Sequence, residues 1–488
     1  VRLYRIFIWA GSFALATGLL AYATRFSTIP LGVPSEWTWP RLPSGAAGPN
    51  WWAGITTVAV FAAFAVAGLG ALARPTRARG FAWIAALLFV APAVHALVQS
   101  SAPPGYDVAK WVTLELEGAS GYLDVAKREA VPDIKQFWQE YPGWVAGQDE
   151  LHIGTHPPGL ILWNAWILSA FESHPWLARR VMEFTPPVVT SALRQILPRS
   201  SVAERAVIVL TGFMTLFASA LSSVVLYLLG RAWLTPAESW AAATLWVLAP
   251  GSIMFQPTAD TALTLLATLA LALASWSVRL TRPTLNVLAG ALLAIGMQIS
   301  LVFLAVGLVA GLVAVTQRAT RRQRISSFLA IGLGFAFVTG VIWAWSGANP
   351  LQTWWHNQQN HARFYVTHPR SYWPWVGWNA VEFAAAVGLP ATIGLVVACI
   401  RQPARIPPIV WAILATLVIL TASGRSLSEV GRLWLPLAPG LLMASVLGLQ
   451  GASRGATSGD RWAQLAAVFF TGLGLLILQS AIQVVYPV

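Results

Sequence analysis

The sequence predicts an all-α polytopic membrane protein, and three observations carry that expectation. Hydrophobic residues fill 57% of the 488 positions and charged residues only 10%. That balance cannot cover a soluble surface, but it suits helices that face lipid. Apolar stretches of bilayer-spanning length recur along the whole chain instead of forming one anchor. Arginines punctuate the linkers between them, on a single side if the spans alternate, as positive-inside bias requires. The expected architecture is one membrane-embedded domain over 1–488, a bundle of about 12–14 transmembrane helices with amphipathic loop helices.

The first apolar segments run at 7–24, 51–73 and 81–99. The start is basic and then apolar, with no small-residue cleavage site after it, and reads as a first span. Arg74, Arg77 and Arg79 place the second linker in the cytosol, so 25–50 and 100–158 face the extracytoplasmic side. Later spans are read at 205–229, 238–256, 259–278, 285–300, 301–316, 325–347, 376–398, 406–422, 432–449 and 462–484. If these alternate, the arginines at 231, 279 and 282, 318–324, 401 and 405, and 454 all fall in the cytosol. Segment 159–204 resists the pattern. Parity requires it to cross twice or not at all, as a short span with an irregular return or as a re-entrant helix with an interfacial partner.

The net charge of +13 is scattered through short linkers and forms no continuous basic stripe, which argues against nucleic acid as a partner. Cys399 is the single cysteine, so the chain holds neither an internal disulfide nor a cysteine-based metal site.

Chemistry concentrates in the 100–158 loop. Nine of the eighteen acids and all three lysines lie between positions 100 and 156, interleaved with Tyr106, Trp111, Tyr122, Phe137, Trp138, Tyr141 and Trp144. Such interleaving predicts an ordered element at the headgroup level, including a short amphipathic helix from Pro132 to Tyr141 that stops at Pro142-Gly143. Asp124 is the leading carboxylate for base work, with Glu117 and Asp107 as rivals; a solvated acid paired with Lys127 explains Asp124 equally. His152 and His156 bracket Ile153-Gly154-Thr155 just before Pro157-Pro158-Gly159. An i, i+4 pair on a helix could bind metal, but the glycine and the diproline favour extended or turn geometry. His156 there suits a phosphate or a sugar hydroxyl, or a plain capping role.

Three further places stand out. Asp260 is the only acid between Glu238 and Glu382 and opens a span, where it caps the helix, meets an arginine or faces a cavity. A second external loop, 349–375, collects His361 and Arg363 with further cations and several aromatics. That composition suits a lipid phosphate and a sugar ring, and equally an aromatic belt with snorkelling arginines. Glu429 and Arg432 sit at the threshold of a late span, as an interfacial ion pair or as a holder of a lipid-linked phosphate.

These residues carry a resemblance. In the order of an acidic external loop, His156-Pro157-Pro158-Gly159, the 257–260 helix opening and the 429–436 approach to a late span, the chain resembles the GT-C superfamily of integral-membrane glycosyltransferases. The likeness is to bacterial relatives of the protein mannosyltransferases and aminoarabinose transferases. The resemblance implies transfer of a sugar from a polyprenyl-phosphate-linked donor to a lipid, glycan or protein acceptor. It implies an extracytoplasmic site on the bacterial inner membrane, inversion at the anomeric carbon and a loop acid as base or orienter. One departure matters: the family presents its acid soon after the first helix, whereas the first external loop here holds only Glu36, so Asp124 fits better by order and Glu36 stays in reserve. The clustered acids could bind a divalent cation, but no ligand spacing is diagnostic. The competing reading is a transporter or lipid flippase, which should place its polar residues near the midplane in related halves.

Overall fold

The computed structural model describes residues 2–26, 28–43, 45–114, 116, 119–317, 320–450 and 458–484. Among these the chain is helical apart from turns, short loops and one small hairpin, Gly32–Val33 with Trp37–Thr38, antiparallel, which pairs Gly32 with Thr38. Seven helices are long and apolar enough to cross a membrane, eight if one bent pair counts as a single span, and four shorter apolar helices accompany them. The protein is thus an all-α, multi-pass membrane protein.

Two helices form its centre. Every residue from Ala237 to Val247 and from Ala438 to Leu449 is buried, against neighbours on all sides. Polar groups here find partners inside the protein, as a hydrocarbon surround demands. The Trp240 and Trp246 indoles donate to the Ala65 and Ser219 carbonyls at 2.8 and 2.9 Å, and Glu238 meets Arg405 at 2.8 Å. Small residues let the outer helices approach closely. A Cβ on Gly448 would overlap the Gly394 carbonyl, and one on Gly334 would overlap the Val287 carbonyl. These contacts tie Leu389–Arg401 to Ala438–Leu449, and Pro283–Met297 to Arg321–Ser346.

Four elements differ from the sequence expectation. The 376–398 span is two helices, Tyr372–Val387 and Leu389–Arg401, bent by 111° at Gly388, whose φ of 101° only glycine tolerates readily. The 238–256 span likewise breaks before Pro250, giving Pro236–Val247 and Pro250–Met254. The loop helix does not stop at Pro142 but runs Ile134–Ala146, with Asp133 as N-cap. Its buried stripe of Phe137, Trp138, Tyr141, Pro142 and Val145 outweighs the one hydrogen bond that proline removes. The 349–375 loop contains a long helix, Pro350–Thr367, whose first turn is capped by Asn349.

Segment 159–204 folds as Gly159–Ser173, Pro175–Glu183 and Pro187–Ile196, none of them long enough to span alone. The last two are amphipathic, burying Ala178, Val189 and Leu193 while Trp176 and Phe184 stay exposed beside arginines.

Candidate functional site

A cavity of about 650 Å³ opens where the 100–158 loop meets the bundle. Its polar end holds Arg432, Glu429, Asp260, His152, His156, Tyr122 and Asp149. Trp166, Met214 and Ile295 are among its apolar lining residues. Those three side chains are also 42%, 47% and 43% exposed, so apolar residues of the lining also reach the protein surface. The lining thus combines a charged cluster with apolar side chains, as an amphiphilic ligand would need.

Arg432 organises the polar end. Its Nε lies 3.4 Å from Asp260 Oδ2, a close ion pair, and its Nη2 donates to Glu429 Oε2 at 2.9 Å. Arg432 is itself a lining residue, so the guanidinium borders the cavity. Asp260 is not the cap of its helix; Thr258 occupies that position, and the aspartate turns to the arginine instead. Ser428 and Glu429 both adopt left-handed backbone, at φ of 77° and 53°, an arrangement sustained only by surrounding contacts and concentrated at functional sites.

The histidine segment is built from the loop inward. Of the extended or turn geometry expected here, His152–Thr155 forms one helical turn and His156 is extended, with the φ of −109° and ψ of 143° of a residue before proline. Two buried asparagines from Pro350–Thr367 grip its backbone. Asn357 donates to the Gly154 and His156 carbonyls at 2.8 and 3.0 Å, and Asn360 to those of Val145 and Gly154 at 2.8 and 2.9 Å. The Tyr141 hydroxyl donates to the His156 carbonyl at 2.7 Å, and Gly159 N–H to the Gln298 carbonyl at 2.8 Å. His156 Nδ1 lies 3.0 Å from the His152 carbonyl, which can only accept, so Nδ1 carries the proton and Nε2 is left as an acceptor.

Burial in the cavity wall pushes His152 down to about 3 and His156 down to about 4, with the Arg432 charge opposing protonation of both. Both imidazoles are therefore neutral at pH 7. Since each folded value lies below the ordinary 6.5, the unfolded chain takes up protons first as pH falls. The stability tied to these two rings is full above about pH 6.5 and is lost progressively toward pH 4. In a melting series from pH 7.5 to 4.5, the wild type is expected to lose Tm faster than a His152→Gln/His156→Gln double variant. Parallel curves would show that the rings are solvated.

The other sequence candidates lie elsewhere. Asp124 is half-buried on the short helix Tyr122–Val125 and does not line the cavity; Lys127 pairs with Glu204 at 3.1 Å. Glu36 is a tie between segments. It accepts from Ser371 N–H at 2.8 Å, from the Ser371 hydroxyl and from the Trp375 indole at 2.7 Å. Burial works to raise its pKa, and these hydrogen bonds outweigh it, holding the carboxyl below the usual range. Glu117 lies outside the described residues. His361 packs edge-on to Tyr365, and Arg363 donates to the Gln148 carbonyl at 3.0 Å and to Asn360, so this pair braces the histidine segment without lining the cavity.

Asp149 is the acid that the sequence reading missed. It lines the cavity, is exposed, and accepts Leu151 N–H at 3.0 Å. Its signal was proximity to His152, three positions on. Asn357 and Asn360 gave none, as polar residues in an apparent loop. Among the described residues no three histidine, cysteine, aspartate or glutamate side chains gather in a metal-holding arrangement.

No protein-family model, curated protein or solved structure matches the chain. The site stands on its own geometry.

Proposed function

We propose that this protein is a membrane glycosyltransferase that takes a sugar from a polyprenyl-phosphate donor on the extracytoplasmic face of a bacterial inner membrane, as the GT-C enzymes it resembles do. One observation carries the reading: a single cavity is lined both by an arginine held between two carboxylates and by partly exposed apolar side chains, which matches an anionic head on a hydrocarbon tail. The placement outside the cytosol rests on the arginine-rich linkers.

In this reading the lipid tail leaves through Trp166, Met214 and Ile295, and the phosphate meets Arg432. Asp260 and Glu429 hold the guanidinium in place. An acceptor hydroxyl or amine attacks the anomeric carbon, the bond from that carbon to the phosphate oxygen breaks, and its electron pair stays on the phosphate beside Arg432. The acceptor proton passes to Asp149, and the configuration inverts. Excess negative charge in the lining, three carboxylates against one guanidinium, also favours an acceptor that gives up a proton or brings positive charge.

Purified protein is expected to release polyprenyl phosphate from a polyprenyl-phosphate sugar when acceptor is present. Asp149→Asn is expected to lower turnover by roughly 10²–10⁴-fold while Asp124→Asn stays close to wild type. The opposite ranking would return the base role to Asp124. Lipid carried across the bilayer with its sugar still attached would replace the enzyme reading with transport.

A further inference from the structure

The polar cluster at the cavity end is held from behind by one face of another helix. Tyr372–Val387 presents Trp375, Asn379 and Glu382 at i, i+4 and i+7, so the three share a face. Asn379 spans the turn that precedes Arg432. It donates to the Ser426 carbonyl at 2.7 Å and accepts Ser428 N–H at 3.3 Å. Glu382 Oε1 accepts Gly431 N–H at 3.0 Å. Between these anchors lie the two left-handed residues Ser428 and Glu429, a conformation that needs support from outside. On the same face Trp375 donates to Glu36, so the first loop is tied to the same scaffold. The glycine at 431 lets the turn sit close: a Cβ there would lie 3.2 Å from Glu382 Oε1 and 3.3 Å from Ala386.

We infer that Asn379 and Glu382 are positioning residues that fix the 426–431 turn, and through it aim the Arg432 guanidinium into the cavity. This rests on the reading of Arg432 as the phosphate holder. Neither residue lines the cavity, so Asn379 reaches a ligand through the turn, and Glu382 through the turn or through its charge near Arg432. The positioning role needs Glu382 only as the acceptor of Gly431 N–H, so its neutral amide counterpart should serve as well.

The test measures binding of a polyprenyl monophosphate to the full chain in nanodiscs, with melting temperature recorded for each variant. Glu382→Leu and Asn379→Leu are expected to weaken binding about tenfold each, the loss of one to two supporting hydrogen bonds. Glu382→Gln is expected to bind within about twofold of wild type, because its carbonyl still accepts Gly431 N–H. Should the leucine variants fail to fold, Gly431→Ala reads the same contact by setting a methyl against Glu382, and it too should weaken binding. KM for the glycosylated donor should rise with the loss of affinity in every weakened variant and return with Glu382→Gln. A wild type that binds no better than Arg432→Ala would sink the phosphate reading itself. Tight binding by wild type, lost in Arg432→Ala but untouched in Glu382→Leu, Asn379→Leu and Gly431→Ala, would overturn the positioning role alone. Glu382→Gln as weak as Glu382→Leu would overturn it too, since charge would then be what matters.

Discussion

Arg432→Ala is expected to abolish measurable binding of lipid phosphate, a loss of at least about 100-fold, or roughly 3 kcal/mol. Two effects add. The N–H groups that would meet the phosphate disappear, and Asp260 and Glu429 are left facing the cavity as uncompensated negative charges. Removing one partner of a largely buried pair costs about 3–5 kcal/mol of stability, because the remaining charge stays desolvated. The single variant should therefore melt well below wild type. Adding Asp260→Asn should restore much of the melting temperature without restoring binding. Isothermal titration with a polyprenyl monophosphate, run beside a melting assay, separates the two. Full binding by the double variant would remove Arg432 from the ligand site.

Gly154→Ala is expected to stop turnover while leaving the bundle intact. The added methyl would overlap the Asp149 carbonyl oxygen and press on the Asn360 amide, both fixed parts of the loop. Backbone cannot give way as a flexible side chain does, so the segment from Asp149 to His156 must move as a unit. Overpacking of this kind typically costs about 1–3 kcal/mol, which the bundle can absorb. A shift of about 1 Å in the placement of a catalytic group is enough to lower a rate by about 100-fold. Turnover should fall far more than Tm in this variant. Equal, modest changes in both would mean that the 149–156 segment only braces the fold.

Much of the architecture was legible because it rests on long-range composition. Apolar run length and arginine placement locate most of the membrane helices to within a few residues, since a bilayer leaves few alternatives. The breaks at Gly388 and before Pro250 were not visible, because a bent pair and a straight span have the same hydropathy. In the site, Asp260, Glu429, Arg432 and both histidines were legible for one reason: each is a polar residue set against an apolar helix end, which is costly without a purpose. Asp124 and Asp149 share one acidic loop, and nothing local says which of them a short helix will turn toward a cavity. Glu36 shows the converse, an isolated acid whose partners, Ser371 and Trp375, lie more than three hundred positions away and carry no pairing signal in the chain.

In the proposed reaction the lipid reaches the cavity past Trp166, Met214 and Ile295, apolar lining residues that are also partly exposed. A lipid that enters through the flank never passes through water, so the encounter takes place in two dimensions. The quantity that sets the rate is then the mole fraction of donor in the bilayer, not its concentration in the tube. Doubling the inert phospholipid at constant total donor should lower an unsaturated rate about twofold, as expected for a rate proportional to substrate below saturation. Doubling the aqueous volume around the same vesicles should leave it unchanged.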